Sequence, residues 1–177
     1  IQDDRYVVYA SVLNTLNTNK YLNFPSLGIL GKRVGKLVVA HHYKYDNNNN
    51  GDVIVKFFTA EREDIEEEDW LEFRFSQVFS GSVNYSFPFI FHLDNAIGIT
   101  AFRDEERVCM VIVPEDYIYS RRVWRGVVQP ETSQPLESYY HPACYKHGLV
   151  VFFNFASGAK QFEAVEIPEN IFEEVQL

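Results

Sequence analysis

Lys36-Leu-Val-Val-Ala-His-His-Tyr-Lys-Tyr45, then Asp46-Asn-Asn-Asn-Asn-Gly51, then Asp52-Val-Ile-Val-Lys-Phe-Phe-Thr-Ala60: the reading of this stretch decides the fold. Both flanks are dense in β-branched and aromatic side chains, which suit a pleated surface. The hexapeptide between them is built from Asn and Gly, residues that tolerate positive φ. The stretch therefore predicts an antiparallel hairpin with a longer connection.

The same signature recurs along the chain. Ile97 to Phe102 and Arg107 to Val113 flank Arg103-Asp-Glu-Glu106 and predict a second hairpin. Gly148 to Phe155 and Lys160 to Ile167 flank the turn Ala156-Ser-Gly-Ala159 and predict a third. Between the first two, Leu71, Phe73 and Phe75 alternate with Glu72 and Arg74, the period of a half-buried strand. Val83 to Leu93 is a further candidate strand, and Pro88 within it predicts an edge position or a break. The stretch up to Val128 reads as strand or irregular chain. With 15 Phe, 11 Tyr and 2 Trp, the aromatic content favours sheet throughout.

The remaining segments read as helices and connectors. From Asp3 to Leu16, Tyr6, Tyr9, Leu13 and Leu16 follow helical spacing, Asp3 and Asp4 suit the positive end of a helix, and Asn17-Thr18-Asn19 would end it. Residues 22–36 contain Pro25, Gly28, Gly31 and Gly35 and predict a connector with little regular structure. That glycine pattern is neither a Walker loop nor GxGxxG. Pro114-Glu-Asp-Tyr predicts a helical turn, Gln129 to Ser138 a loop, and Pro168 to Val175 a short closing helix with proline in its first turn. The expected fold is α+β and mainly β. It is an antiparallel hairpin-rich sheet, sandwich or barrel, with an N-terminal helix and a short C-terminal helix, forming one domain over 1–177.

Charge narrows the partners. The formal net charge is −9, and the densest basic cluster, Arg121-Arg122-Val123-Trp124-Arg125, is short and isolated. Binding by phosphate neutralisation needs more clustered Lys and Arg than this, so nucleic acid is not an expected partner. No apolar run reaches the roughly 18 residues of a membrane span. The expectation is a soluble chain, cytoplasmic or exported. It begins at Ile1 rather than Met, which a removed signal peptide and a trimmed tag explain equally. Asn84-Tyr85-Ser86 matches the glycosylation acceptor pattern. The two cysteines, Cys109 and Cys144, make no disulfide framework, and their pairing is left open by sequence.

Chemistry concentrates in two places. His141-Pro-Ala-Cys144-Tyr-Lys-His147 brings together imidazoles and a thiol, and the first hairpin adds His41-His42. Successive residues of a strand face opposite ways, so one of that pair at most would join His141, Cys144 and His147 in a tetrahedral zinc site, His41 being the candidate carried forward. The same residues suit a Cys144 nucleophile activated by His141, His147 or His41 and oriented by an acid. Neither arrangement has the spacing of a known finger or hydrolase motif, and no cofactor is expected.

The second place is an acidic run of seven carboxylates: Glu61, Glu63, Asp64, Glu66, Glu67, Glu68 and Asp69, interrupted by Arg62 and Ile65 and followed by Trp70. Its field would speed association with a basic protein surface, and tryptophan is a common interface anchor. The leading expectation is therefore a non-enzymatic protein-binding domain of inhibitor, neutralising or adaptor type. An enzyme using Cys144 with a histidine, or a metal site around His141 to His147, is the alternative. A carrier of small apolar ligands is the third.

Overall fold

The computed structural model describes residues 22–31, 36–44, 51–59, 71–80, 84–103, 107–128, 144–146, 148–154 and 161–177. They are mostly strand, every paired strand is antiparallel, and the helices are short. The N-terminal helix expected from Asp3 to Leu16 lies outside the described residues, as do the Ala156–Ala159 turn and the Gln129–Ser138 loop.

The deciding hairpin is β2 (Lys36–Lys44) against β3 (Gly51–Thr59), in unbroken register from Lys36↔Thr59 to Lys44↔Gly51. β4 (Leu71–Arg74) extends it beyond β3, and β1 (Leu22–Leu30) extends it beyond β2. A five-stranded sheet runs β12-β8-β7-β6-β5: β5 (Tyr85–His92), β6 (Ala96–Arg103), β7 (Arg107–Pro114), β8 (Arg122–Val128) and β12 (Glu173–Gln176). The third hairpin, β10 (Leu149–Asn154) with β11 (Gln161–Glu166), carries β9 (Cys144–Lys146) on its other side. Two single-turn helices, α1 (Phe75–Phe79) and α2 (Tyr117–Ser120), join strands.

The four- and five-stranded sheets share one core. Val38, Ala40, Val53, Val55, Phe57 and Phe73 from the first meet Ile90, Ile97, Ile99, Ala101, Cys109, Val111 and Val113 from the second. Rings fill the space between: Phe57 lies 5.0 Å from Tyr117 and 6.0 Å from Phe73, and Tyr85 lies 5.9 Å from Phe75. The opposite face of the five-stranded sheet is apolar too, with Phe91, Phe102, Val108 and Met110 packed with Ile167, Ile171 and Phe172. β9 lies against β5 and β6.

Three segments depart from the sequence reading. Residues 22–30 are a strand, not a connector. Gly28 is there for close approach: a Cβ on it would stand 2.5 Å from Ile90 Cγ2 of the other sheet. Pro25 falls in the register break between Asn23 and Ser26, where a missing N–H is tolerated. Phe75 does not continue the strand but starts α1, with Gln77 Oε1 accepting the Arg74 N–H at 2.8 Å. The closing helix is one 3-10 turn, Glu169–Ile171, and Glu173 then enters β12. There Glu173 pairs with Arg125 and Glu174 with Arg122, so strand pairing with β8 outcompetes a helix of adjacent glutamates. The expectation for Pro88 holds in both senses. β5 ends its sheet, and its register breaks between Ser86 and Phe89, where Phe87 takes a φ of 53°.

Candidate functional site

Polar side chains inside a sheet face must find partners or carry a penalty. Among the described residues they gather where β2, β3, β4 and α1 adjoin. His41, Asp52, Lys56, Glu72 and Arg74 share the face of the four-stranded sheet that points away from the five-stranded one, since the core-facing set is Val38, Ala40, Val53, Val55 and Phe73. Ladder pairing sets His41, Ile54 and Arg74 in one row, with Val39, Lys56 and Glu72 in the next.

Asp52 is buried and held from three directions. Its Oδ1 accepts the N–H of Val53 at 2.8 Å and of Ser76 at 3.2 Å, and its Oδ2 accepts the Ser76 hydroxyl at 2.5 Å. Burial nevertheless pushes its carboxyl above the usual range, outweighing the bonds from Ser76 and Val53 and the nearby Arg74 charge.

His41 is 3% exposed, and among the described residues neither ring nitrogen has a partner within normal hydrogen-bond geometry. Burial first, and the Lys56 charge second, lower it from 6.5 to about 4, so its ring is neutral at neutral pH. His42 projects to the opposite face, where it meets the Phe87 ring at 6.3 Å. Serine, histidine and aspartate are thus neighbours without forming a nucleophilic relay. The Ser76 hydroxyl donates to the carboxylate itself, and the His41 nitrogens bond to neither.

The residues singled out from sequence are distributed as follows. His41 is on β2 and Cys144 on β9, in different sheets. His141 and His147 lie outside the described residues, and so do Glu61, Glu63, Asp64, Glu66, Glu67, Glu68, Asp69 and Trp70. The acidic run connects β3 to β4, adjacent strands paired up to Phe57↔Leu71. Among the described residues no three of His, Cys, Asp and Glu form a group that would hold a metal ion, and no helix is long and apolar enough to cross a membrane. In the basic cluster, Arg125 lies 3.1 Å from Glu173 and also donates to the Val78 carbonyl, while Arg122 lies 3.8 Å from Glu174. Asn84 of the glycosylation pattern is half-buried, its Oδ1 accepting the Gly51 N–H, and Ser86 is buried.

The Asp52–Ser76 pair was not legible in the sequence. Its members stand 24 positions apart, and Ser76 sits in a stretch that reads as strand. No protein family, no curated protein and no solved structure matches the chain. Geometry and charge therefore carry the functional reading.

Proposed function

We propose that the chain is a non-enzymatic protein-binding domain, of inhibitor, neutralising or adaptor type, which engages a basic partner through the acidic run Glu61 to Asp69 with Trp70 as anchor. One observation carries the reading: the run connects two adjacent strands, β3 and β4, that hold Phe57 and Phe73 in the core. Recognition segments are commonly connections of this kind, held at both ends by a rigid scaffold. The pairing of Arg122 and Arg125 with Glu174 and Glu173 adds support, because it sets a carboxylate against two of the three arginines of the densest basic cluster. The test replaces Glu66, Glu67 and Glu68 with Lys and compares capture of proteins from the native source. Capture of the wild-type partner should weaken and lose its salt sensitivity. Unchanged capture with an intact fold removes the acidic run from the account.

The metal reading around His141 to His147 gains nothing from His41: its side chain is on the face of the four-stranded sheet that points away from the five-stranded one, whereas Cys144 is on β9, against β5 and β6 of the latter. Elemental analysis of the purified chain tests what is left of that reading: one zinc per chain, lost in Cys144→Ser, supports it, and absence of bound metal ends it. The apolar-carrier reading finds no support either, because the core aromatic rings are packed against one another.

A further inference from the structure

β1 ends the four-stranded sheet and β5 ends the five-stranded one, so each turns a row of main-chain groups away from its ladder partner. The two strands meet along one side of the sandwich, yet no backbone ladder joins them. Side chains close the gap instead, and they do so reciprocally. Ser26 of β1 accepts the N–H of Ile90 at 2.9 Å, and His92 Nε2 of β5 accepts the N–H of Ile29 at 3.1 Å. Gly28, between the two β1 participants, lets Ile90 come close enough for both bonds.

The two acceptors differ in one property. A serine hydroxyl accepts at any ordinary pH, whereas an imidazole nitrogen accepts only while unprotonated. Once protonated, Nε2 carries a hydrogen and faces the Ile29 N–H as donor to donor. We propose that the β1–β5 seam is an acid-sensitive closure, released when His92 takes up a proton.

The surroundings leave that bond as the point of action. β1 has no ionisable side chain between Leu22 and Leu30, and β6 has only Arg103, at the far end of its ladder opposite Tyr85. Asp94, exposed in the turn that follows β5, is the carboxylate nearest in sequence. Among the other strands against β5, β2 carries Lys36, His41, His42, Tyr43 and Lys44, and β3 carries Asp52 and Lys56. Of these His42 lies at the other end of β5, against Phe87. β9 contributes Cys144, Tyr145 and Lys146 to the set.

Amide hydrogen exchange of the whole chain, resolved by residue and corrected for intrinsic rates, tests the proposal between pH 7.5 and 5. The net worth of one hydrogen bond sets the scale, roughly a three- to tenfold change in protection. Ile29 and Ile90 should lose protection together on acidification, while the core amide of Val111 keeps its own. Ile90 is the discriminating probe, since its acceptor does not titrate and its loss reports parting of the strands. His92→Gln, which keeps a neutral acceptor, should hold both amides protected at both pH values. His92→Ala should free both at both. Loss at Ile29 alone, or a pH response that survives in His92→Gln, overturns the proposal.

Discussion

The two faces of the four-stranded sheet are made from the same strands and solve different problems. The inner face is apolar over Val38, Ala40, Val53, Val55, Phe57 and Phe73, interlocked with the second sheet, and carries one buried polar side chain, His42, against Phe87. The outer face mixes buried Leu37, Val39 and Ile54 with His41, Asp52, Lys56, Glu72 and Arg74. Apolar burial stabilises the first. On the second, each polar group must be matched, and the matching is uneven: Asp52 has three hydrogen bonds and the His41 ring has none among the described residues. Burial shifts the titration of both His41 and Asp52, so the outer face responds to pH.

The largest effect should come from breaking the inner face. Phe73 is 1% exposed and touches both Phe57 and Tyr117. Phe73→Ala removes a ring from a packed cluster that cannot fully collapse, and should destabilise by about 3–5 kcal/mol in denaturant titration. A loss under about 1 kcal/mol would mean that the inner face does not dominate.

Acid sharpens the comparison, because the two buried groups of the outer face respond with opposite sign. His41 titrates near 6.5 unfolded and near 4 folded, so between those values the unfolded chain binds more protons. Its contribution is complete above pH 6.5 and is lost as pH falls towards 4, by roughly 3 kcal/mol at most. Asp52 is shifted upwards, so its contribution is complete below its unfolded value of 3.8 and is lost as pH rises through the folded one. Stability profiles from pH 4 to 7 should therefore steepen in Asp52→Asn, where the opposing response is gone, and flatten in His41→Leu. Identical slopes in the two variants would break the assignment. Ser76→Ala, which removes the hydroxyl bound to Asp52, should destabilise by about 1–3 kcal/mol at pH 7.

How much of this was legible follows from how local each cause is. The hairpins β2–β3 and β6–β7 are written in adjacent runs and short connections, and the continuous apolar character of Leu37 to Ala40 and Val53 to Val55 already fits burial on both faces. β1 was hidden because Gly28 reads as a breaker until Ile90, in another sheet, is seen above it. β12 was hidden because its partner β8 lies 48 residues earlier at Arg125–Glu173, and a string of Glu after Pro168 reads locally as helix. The histidines of β2 could be assigned to opposite faces from sequence. That the ring of one of them, His41, would be buried without a partner among the described residues could not.

Lys56 supplies the smallest test. It lies 3.9 Å from Glu72, and Glu72 is 40% exposed, so the carboxylate has water to turn to if its partner is removed. Pairs of this kind contribute little, and Lys56→Met should change stability at pH 7 by no more than about 1 kcal/mol. The same substitution removes the charge that, after burial, does most to keep His41 unprotonated. The His41 ring protons should then titrate at higher pH in NMR, and the acid-sensitive window, bounded above by 6.5, should narrow. A large stability loss without movement of that titration would make Lys56 a packing residue and detach it from the electrostatics of the face. A small loss with an upward shift would show that the outer face tunes a histidine at little expense to the fold.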